Sequence, residues 1–308
     1  MSDSRAVRSR PTGALYIAVG LAADRRVRVA AVLIALAYLL VRLALMLSSN
    51  DPILGADART YWGAPLDNPY PGPQLGLPGA YLYPPPFIQA LSPLRLLPFE
   101  GFQAVWAFIG AAALVFLVGP VGAALAITFL PFVFRDLLVG NIHLMLAAAI
   151  VIGLRHPAVW AFPILTKITP GVGILWFVAR REWRKAVIAV GVATIIAAVS
   201  FALAPNLWFE WLDRMRGDTG TAGDTYLLVL VARVVGAAVL VFVAGLIGRA
   251  WLIPIAVLVS LPILWPDSLA LLLACFPLIA AEMRERMAGG TNVRRRRTFS
   301  DATSATDP

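Results

Sequence analysis

The sequence predicts an all-α fold, a polytopic transmembrane helical bundle of about ten apolar segments, some short or re-entrant. Three observations predict it. Hydrophobic residues form 60% of the 308-residue chain and charged residues 14%, against roughly 45–50% and 25% in soluble domains. A mean hydropathy of +0.80 exceeds what a water-soluble core of this size can bury, which leaves lipid as the solvent for the surplus. The basic residues cluster beside apolar runs, so the formal charge of +9 is a topology signal and a contact for anionic membrane lipids, with no nucleic acid as partner. The lone cysteine, Cys275, lies in an apolar run and leaves no intrachain disulfide to form.

Taken in order, residues 1–27 read as a polar, basic, disordered tail carrying Arg5, Arg8, Arg10, Arg25 and Arg26. The apolar run at 29–47 is long enough to cross a hydrocarbon core of roughly 30 Å. It exceeds a secretory signal's apolar region and no small-residue cleavage site follows it, so it reads as a retained anchor. With the arginines before it in the cytoplasm, residues 48–83 form an outer loop at the cell membrane. This loop begins with a helical patch near 57–64 and continues as PLDNPYPGPQLGLPG, too rich in proline and glycine for regular structure.

Further apolar segments follow near 84–97, 100–118, 120–134, 140–154, 158–178, 183–204, 226–247, 250–265 and 267–282. Arg180, Arg181, Arg184 and Lys185 mark an inner turn, and Glu210, Asp213, Asp218 and Asp224 mark a second outer loop at 205–225. An even number of crossings returns the C-terminus to the cytoplasm, where the tail 286–308 carries Arg294–Arg297. The membrane domain is thus one unit, 28–285. Its middle admits two topologies, because 84–97 and 120–134 are short and Pro131 and Pro170 interrupt apolar runs. Ten plain crossings put Arg135 inside and Arg155 outside; a re-entrant 120–139 with a hairpin at 158–178 reverses both. Broken helices persist at membrane depth only where they are buried or line a cavity, and they often mark a substrate site.

An ionisable side chain inside such segments costs at least about 2.5–3.5 kcal/mol on insertion, so each is a candidate for function. Lys167, in ILTKITP, is one of only two lysines and stands beside Pro170. It suits either a phosphate in a watered cavity or a snorkelling or paired structural role. In FRDLLVGNIH, Arg135 and Asp136 read either as an ion pair at a helix end or as ligand contacts. A helix start after Gly140-Asn141 offers N–H groups to an anion, and His143 reads first as a satisfied interior residue. Two histidines and no His/Cys cluster predict no zinc site. In the outer loop, Asp51 and Asp57 follow the first span; Asp57 and Tyr61 are four apart and share a helical face. Asp57 is there either to cap that helix or to do chemistry.

These residues come together in a resemblance. Asp57 with Tyr61-Trp62, the loop ending YLYPPPFIQALSPLRLLP, Trp106, Gly140-Asn141 and TKITPGVGILWFVARREWR, over about residues 30–205, resemble glycosyltransferase family 87. This is the GT-C-fold family of polyprenol-phosphate-mannose-dependent mannosyltransferase type, also described as a domain of unknown function. The resemblance implies an inverting hexosyltransferase whose donor is a polyprenyl-phosphate sugar and whose acceptor is an envelope glycolipid or glycan at the outer membrane surface. It puts Asp57 as catalytic base. Lys167, Arg135 or Arg59 would meet the phosphate, and Tyr61, Tyr83 and Asn141 the sugar, with no metal and no cofactor beyond the lipid-linked donor. Two other readings compete. A transporter or lipid flippase would couple through Lys167 and the broken helices, and a non-catalytic GT-C-like subunit would scaffold a partner enzyme.

Overall fold

A computed structural model describes residues 53–73, 77 and 79–286, with isolated positions 25, 26, 29, 30, 33, 37 and 41 and without the side chains of 219–222. The expected anchor at 29–47, the two tails and Asp51 therefore lie wholly or largely outside the described residues. Within them every regular element is a helix, so the all-α expectation holds.

Among the described residues the apolar surplus becomes four helices of crossing length: Phe99–Phe129, Trp183–Leu203, Gly223–Ile247 and Pro266–Arg286. A fifth unit is the pair α4 (Pro131–Val139) and α5 (His143–Gly153), bent by 102°. Only 17% of the apolar window of Gly223–Ile247 is buried inside the protein, although its mean hydropathy is 2.8. Exposed Leu228, Val235, Val239 and Leu246 along it need a lipid environment. Several apolar helices of this kind make the chain a membrane protein.

The other described apolar segments are pieces rather than full crossings, and their residues say why. Segment 84–97 opens with Pro84, Pro85 and Pro86 and yields only α2 (Pro85–Leu91) and a 3₁₀ turn, Leu94–Leu96. In α3 (Phe99–Phe129) the helix is interrupted at Gly119 (φ 72, ψ 170) before Pro120, since proline disfavours helical geometry in its predecessor. Segment 158–178 splits into the 3₁₀ turn Pro157–Trp160, α6 (Ala161–Lys167), the 3₁₀ stretch Thr169–Ile174 and α7 (Leu175–Ala179). The break falls at Ile168, whose φ of 53 is unusual for a β-branched residue.

Residues 205–225, read from their acids as a loop, are instead the first part of a helical run, α9 (Pro205–Ile247), that follows α8 (Trp183–Leu203). Arg214 and Asp218, four apart, pair at 2.9 Å there, and the run breaks at Gly223 (φ 81) before its apolar half. The buried centre of the protein is formed where α3, α5 and the 3₁₀ stretch Pro266–Ala274 meet. In the other half, α9 packs on α7 and on α10 (Leu252–Ser260).

Candidate active site

Helix α1 (Ala56–Gly63) is held against the membrane helices by backbone and aromatic contacts. Gly55 N–H donates to Leu138 O at 2.8 Å, and Trp106 Nε1 donates to Gly140 O at 2.8 Å. Gly140 (φ 75) is where the α4–α5 bend turns: a Cβ there would stand 2.7 Å from Ala58 Cβ. The bend and α1 therefore fit only if residue 140 lacks a side chain. On α1, Tyr61 is fully buried against Phe87 and Trp106, and its hydroxyl lies 2.8 Å from that of Tyr83.

These elements enclose a cavity of about 450 Å³. Asp57, Tyr61, Tyr83, Arg135, Asn141 and Lys167 all line it, brought together from α1, the loop before α2, α4, the bend and the end of α6. Arg135 and Asn141 of FRDLLVGNIH and Lys167 of ILTKITP thus open to the same space as Asp57. Arg59 does not line the cavity. It is exposed, and its guanidinium lies over the Phe99 ring at 4.1 Å. The rest of the lining is largely apolar or aromatic, with Leu77, Leu82, Trp211, Leu230, Ile263 and Trp265.

Asp57 does not cap α1. The N-cap is Gly55 in the left-handed conformation, with no side-chain bond. Burial pushes the Asp57 carboxyl up to about 6, Asp267 adds to the rise, and Lys167 and His143 oppose it. Such a carboxyl is mostly ionised at neutral pH, yet far more basic than a solvated aspartate.

The floor of the cavity is a network of charged groups. Asp136 and Arg135 do not pair with each other. Adjacent on α4, they point to different partners. Arg135 Nε donates to Asp267 Oδ1 at 3.3 Å, and Asn141 Nδ2 donates to Asp267 Oδ2 at 2.9 Å. Asp136 accepts from Leu144 N–H at 3.2 Å and lies 2.9 Å from His143 Nδ1. The N-terminus of α5, offered by the sequence to an anion, thus takes the chain's own Asp136 carboxylate. His143 Nε2 lies 3.1 Å from Lys167 Nζ and 3.3 Å from Ser268 Oγ. Arg135 keeps a side-chain exposure of 38%, and its terminal nitrogens have no hydrogen-bond partner among the described residues.

Ligand atoms of Asp136, His143 and Asp267 lie within 4.8 Å of one another, close enough to share a metal ion. Two positive groups already face them, Lys167 at 3.1 Å from His143 and Arg135 at 3.3 Å from Asp267. Asp267 thus has a counter-charge in Arg135, while Asp136 is held by His143 and the Leu144 N–H.

Asp267 is the residue that sequence reasoning missed. It is 2% exposed and ties Arg135 and Asn141 together from 126 residues or more away. Its signal was present as WPDS, a carboxylate directly after proline at the start of an apolar run, where it passes for a helix-start residue.

The family model described as glycosyltransferase family 87 matches residues 81–289. The match takes in Tyr83, Arg135, Asn141, Lys167 and Asp267, begins beyond Asp57, and reaches further along the chain than the motifs near 30–205. No curated protein and no solved structure matches the chain.

Proposed function

Because the chain belongs to glycosyltransferase family 87, we propose that its cavity moves a sugar, most simply mannose, from a polyprenyl-phosphate donor to an envelope glycolipid or glycan with inversion. The membership makes it a glycosyltransferase acting on a donor and an acceptor. The observation that carries the finer reading is the meeting of Asp57 with Lys167 and Arg135 across one largely apolar cavity among membrane-length helices. A lipid-linked donor needs both halves of that arrangement, cations for its phosphate and apolar surface for its tail.

In this mechanism the acceptor hydroxyl attacks the anomeric carbon as the bond from that carbon to the phosphate oxygen breaks. Asp57 takes the hydroxyl proton. The electron pair of the broken bond leaves on the lipid phosphate, where Lys167 and the free terminal nitrogens of Arg135 meet it. A phosphate is a good leaving group, so one carboxylate suffices, and no cofactor beyond the donor enters the step. Tyr61, Tyr83 and Asn141 line the space beside Asp57 where sugar hydroxyls would bind. Arg59, outside the cavity, is left for the approach of the phosphate headgroup at the surface. The reaction faces the outside of the plasma membrane, both termini lie in the cytoplasm, and the short pieces complete a GT-C-like bundle of about ten segments.

The test is transfer by the full chain purified into lipid nanodiscs with a glycolipid acceptor. Polyprenyl-phosphate mannose should yield glycosylated acceptor and free polyprenyl phosphate, while a nucleotide-linked mannose yields none. Transfer from the nucleotide sugar alone, or lipid flipping without transfer, overturns the reading.

A further inference from the structure

We propose that His143 is a positioning residue that holds Lys167 toward the donor phosphate, with Asp136 fixing the state of its ring; this rests on the lipid-phosphate donor proposed above. Lys167 Nζ lies 3.1 Å from His143 Nε2, and His143 Nδ1 lies 2.9 Å from Asp136 Oδ1. An ammonium only donates, so Nε2 must present its lone pair to it. The ring proton then sits on Nδ1 and is donated to Asp136. Asp136 is held in turn by Leu144 N–H at 3.2 Å, at the start of α5. His143 is 0% and Asp136 1% exposed, and neither lines the cavity, whereas Lys167 does.

The consequence is directional. One of the three ammonium hydrogens is committed to His143, which leaves two for the cavity. Lys167 ends α6 next to the strained Ile168 (φ 53), so the helix itself does not carry the side chain onward. Without His143 the flexible lysine can turn instead to a carboxylate of the floor. The histidine acts on the phosphate only through Lys167.

Binding of farnesyl phosphate, with farnesol as the phosphate-free control, tests this in nanodiscs. Wild type should bind the phosphate more tightly than the alcohol. If it does not, the lipid-phosphate reading itself falls. His143→Leu should weaken farnesyl phosphate binding about tenfold, a hydrogen bond to a charged group being lost. Farnesol binding should not change. His143→Gln, whose amide can accept from Lys167 and donate to Asp136, should recover most of the loss. Adding His143→Leu to Lys167→Ala should weaken binding no further. Undiminished phosphate binding by His143→Leu, or equal loss of farnesol binding, overturns the positioning role and leaves the donor reading standing.

A second measurement serves if His143→Leu does not fold. The chain has two histidines, so ring ¹⁵N labelling with His156→Asn leaves one reporter. At neutral pH its Nε2 should be unprotonated, and its signal should move when farnesyl phosphate is added. A proton on Nε2 contradicts the proposal.

Discussion

At the scale of the residue, Asp57 and Asp267 differ in how readily the sequence disclosed them. Asp57 stands in a polar loop, four residues before Tyr61, where an acid on a short helix is noticeable. Its unusual basicity comes from burial beside residues distant in the chain. The consequence is a pH dependence with a definite sign. A base works when ionised, so transfer should hold above pH 7 and fall about tenfold per unit below pH 6. A rate that stays level from pH 7.5 to 5 would contradict the assignment. Asp267 follows Pro266 and reads as an ordinary helix start, and no spacing rule links it to Arg135 and Asn141. Asp267→Asn removes the charge anchoring Arg135. The KM for the lipid donor should rise about tenfold, with kcat less affected. An unchanged KM would show that Arg135 needs no such anchor.

Elements were legible where hydrophobic length alone decides, as in Trp183–Leu203 and Gly223–Ile247. They were not where proline and left-handed residues cut an apolar run into pieces, because hydropathy is blind to chain direction. Pro131 and Gly140 announced breaks, but not that α4 and α5 would turn by 102° and carry Arg135 under α1. The acids of 205–225 misled in the opposite sense, since polar helix and polar loop share a composition. The bend depends on Gly140. Gly140→Ala puts a Cβ 2.7 Å from Ala58 Cβ at a φ of 75, whereas Gly191 has open space around it within a helix. Gly140→Ala should cost about 2 kcal/mol or more, and Gly191→Ala should be neutral or stabilising by up to about 1 kcal/mol. Thermal unfolding in detergent compares them, and equal midpoints would remove the steric account of the bend.

For the whole molecule, composition made lipid the solvent, and the exposed apolar faces of the long helices agree. What composition left open was the side of the membrane reached by each charged group between 84 and 178. One cavity holding Asp57, Arg135 and Lys167 requires that all three be reached from a single side. In a Cys275→Ala background, Asp57→Cys, Arg135→Cys and Lys167→Cys should each react with a membrane-impermeant thiol reagent added outside sealed vesicles of native orientation. Labelling of Arg135→Cys only from the opposite side would break up the site. In the proposed mechanism Asp57 removes the acceptor proton during sugar transfer from a lipid phosphate. Asp57→Asn tests it most directly, through the rate of transfer from polyprenyl-phosphate mannose by protein that inserts and unfolds like wild type. The expected loss is about 10² to 10⁴-fold with donor binding retained; transfer at the wild-type rate would contradict the role of Asp57.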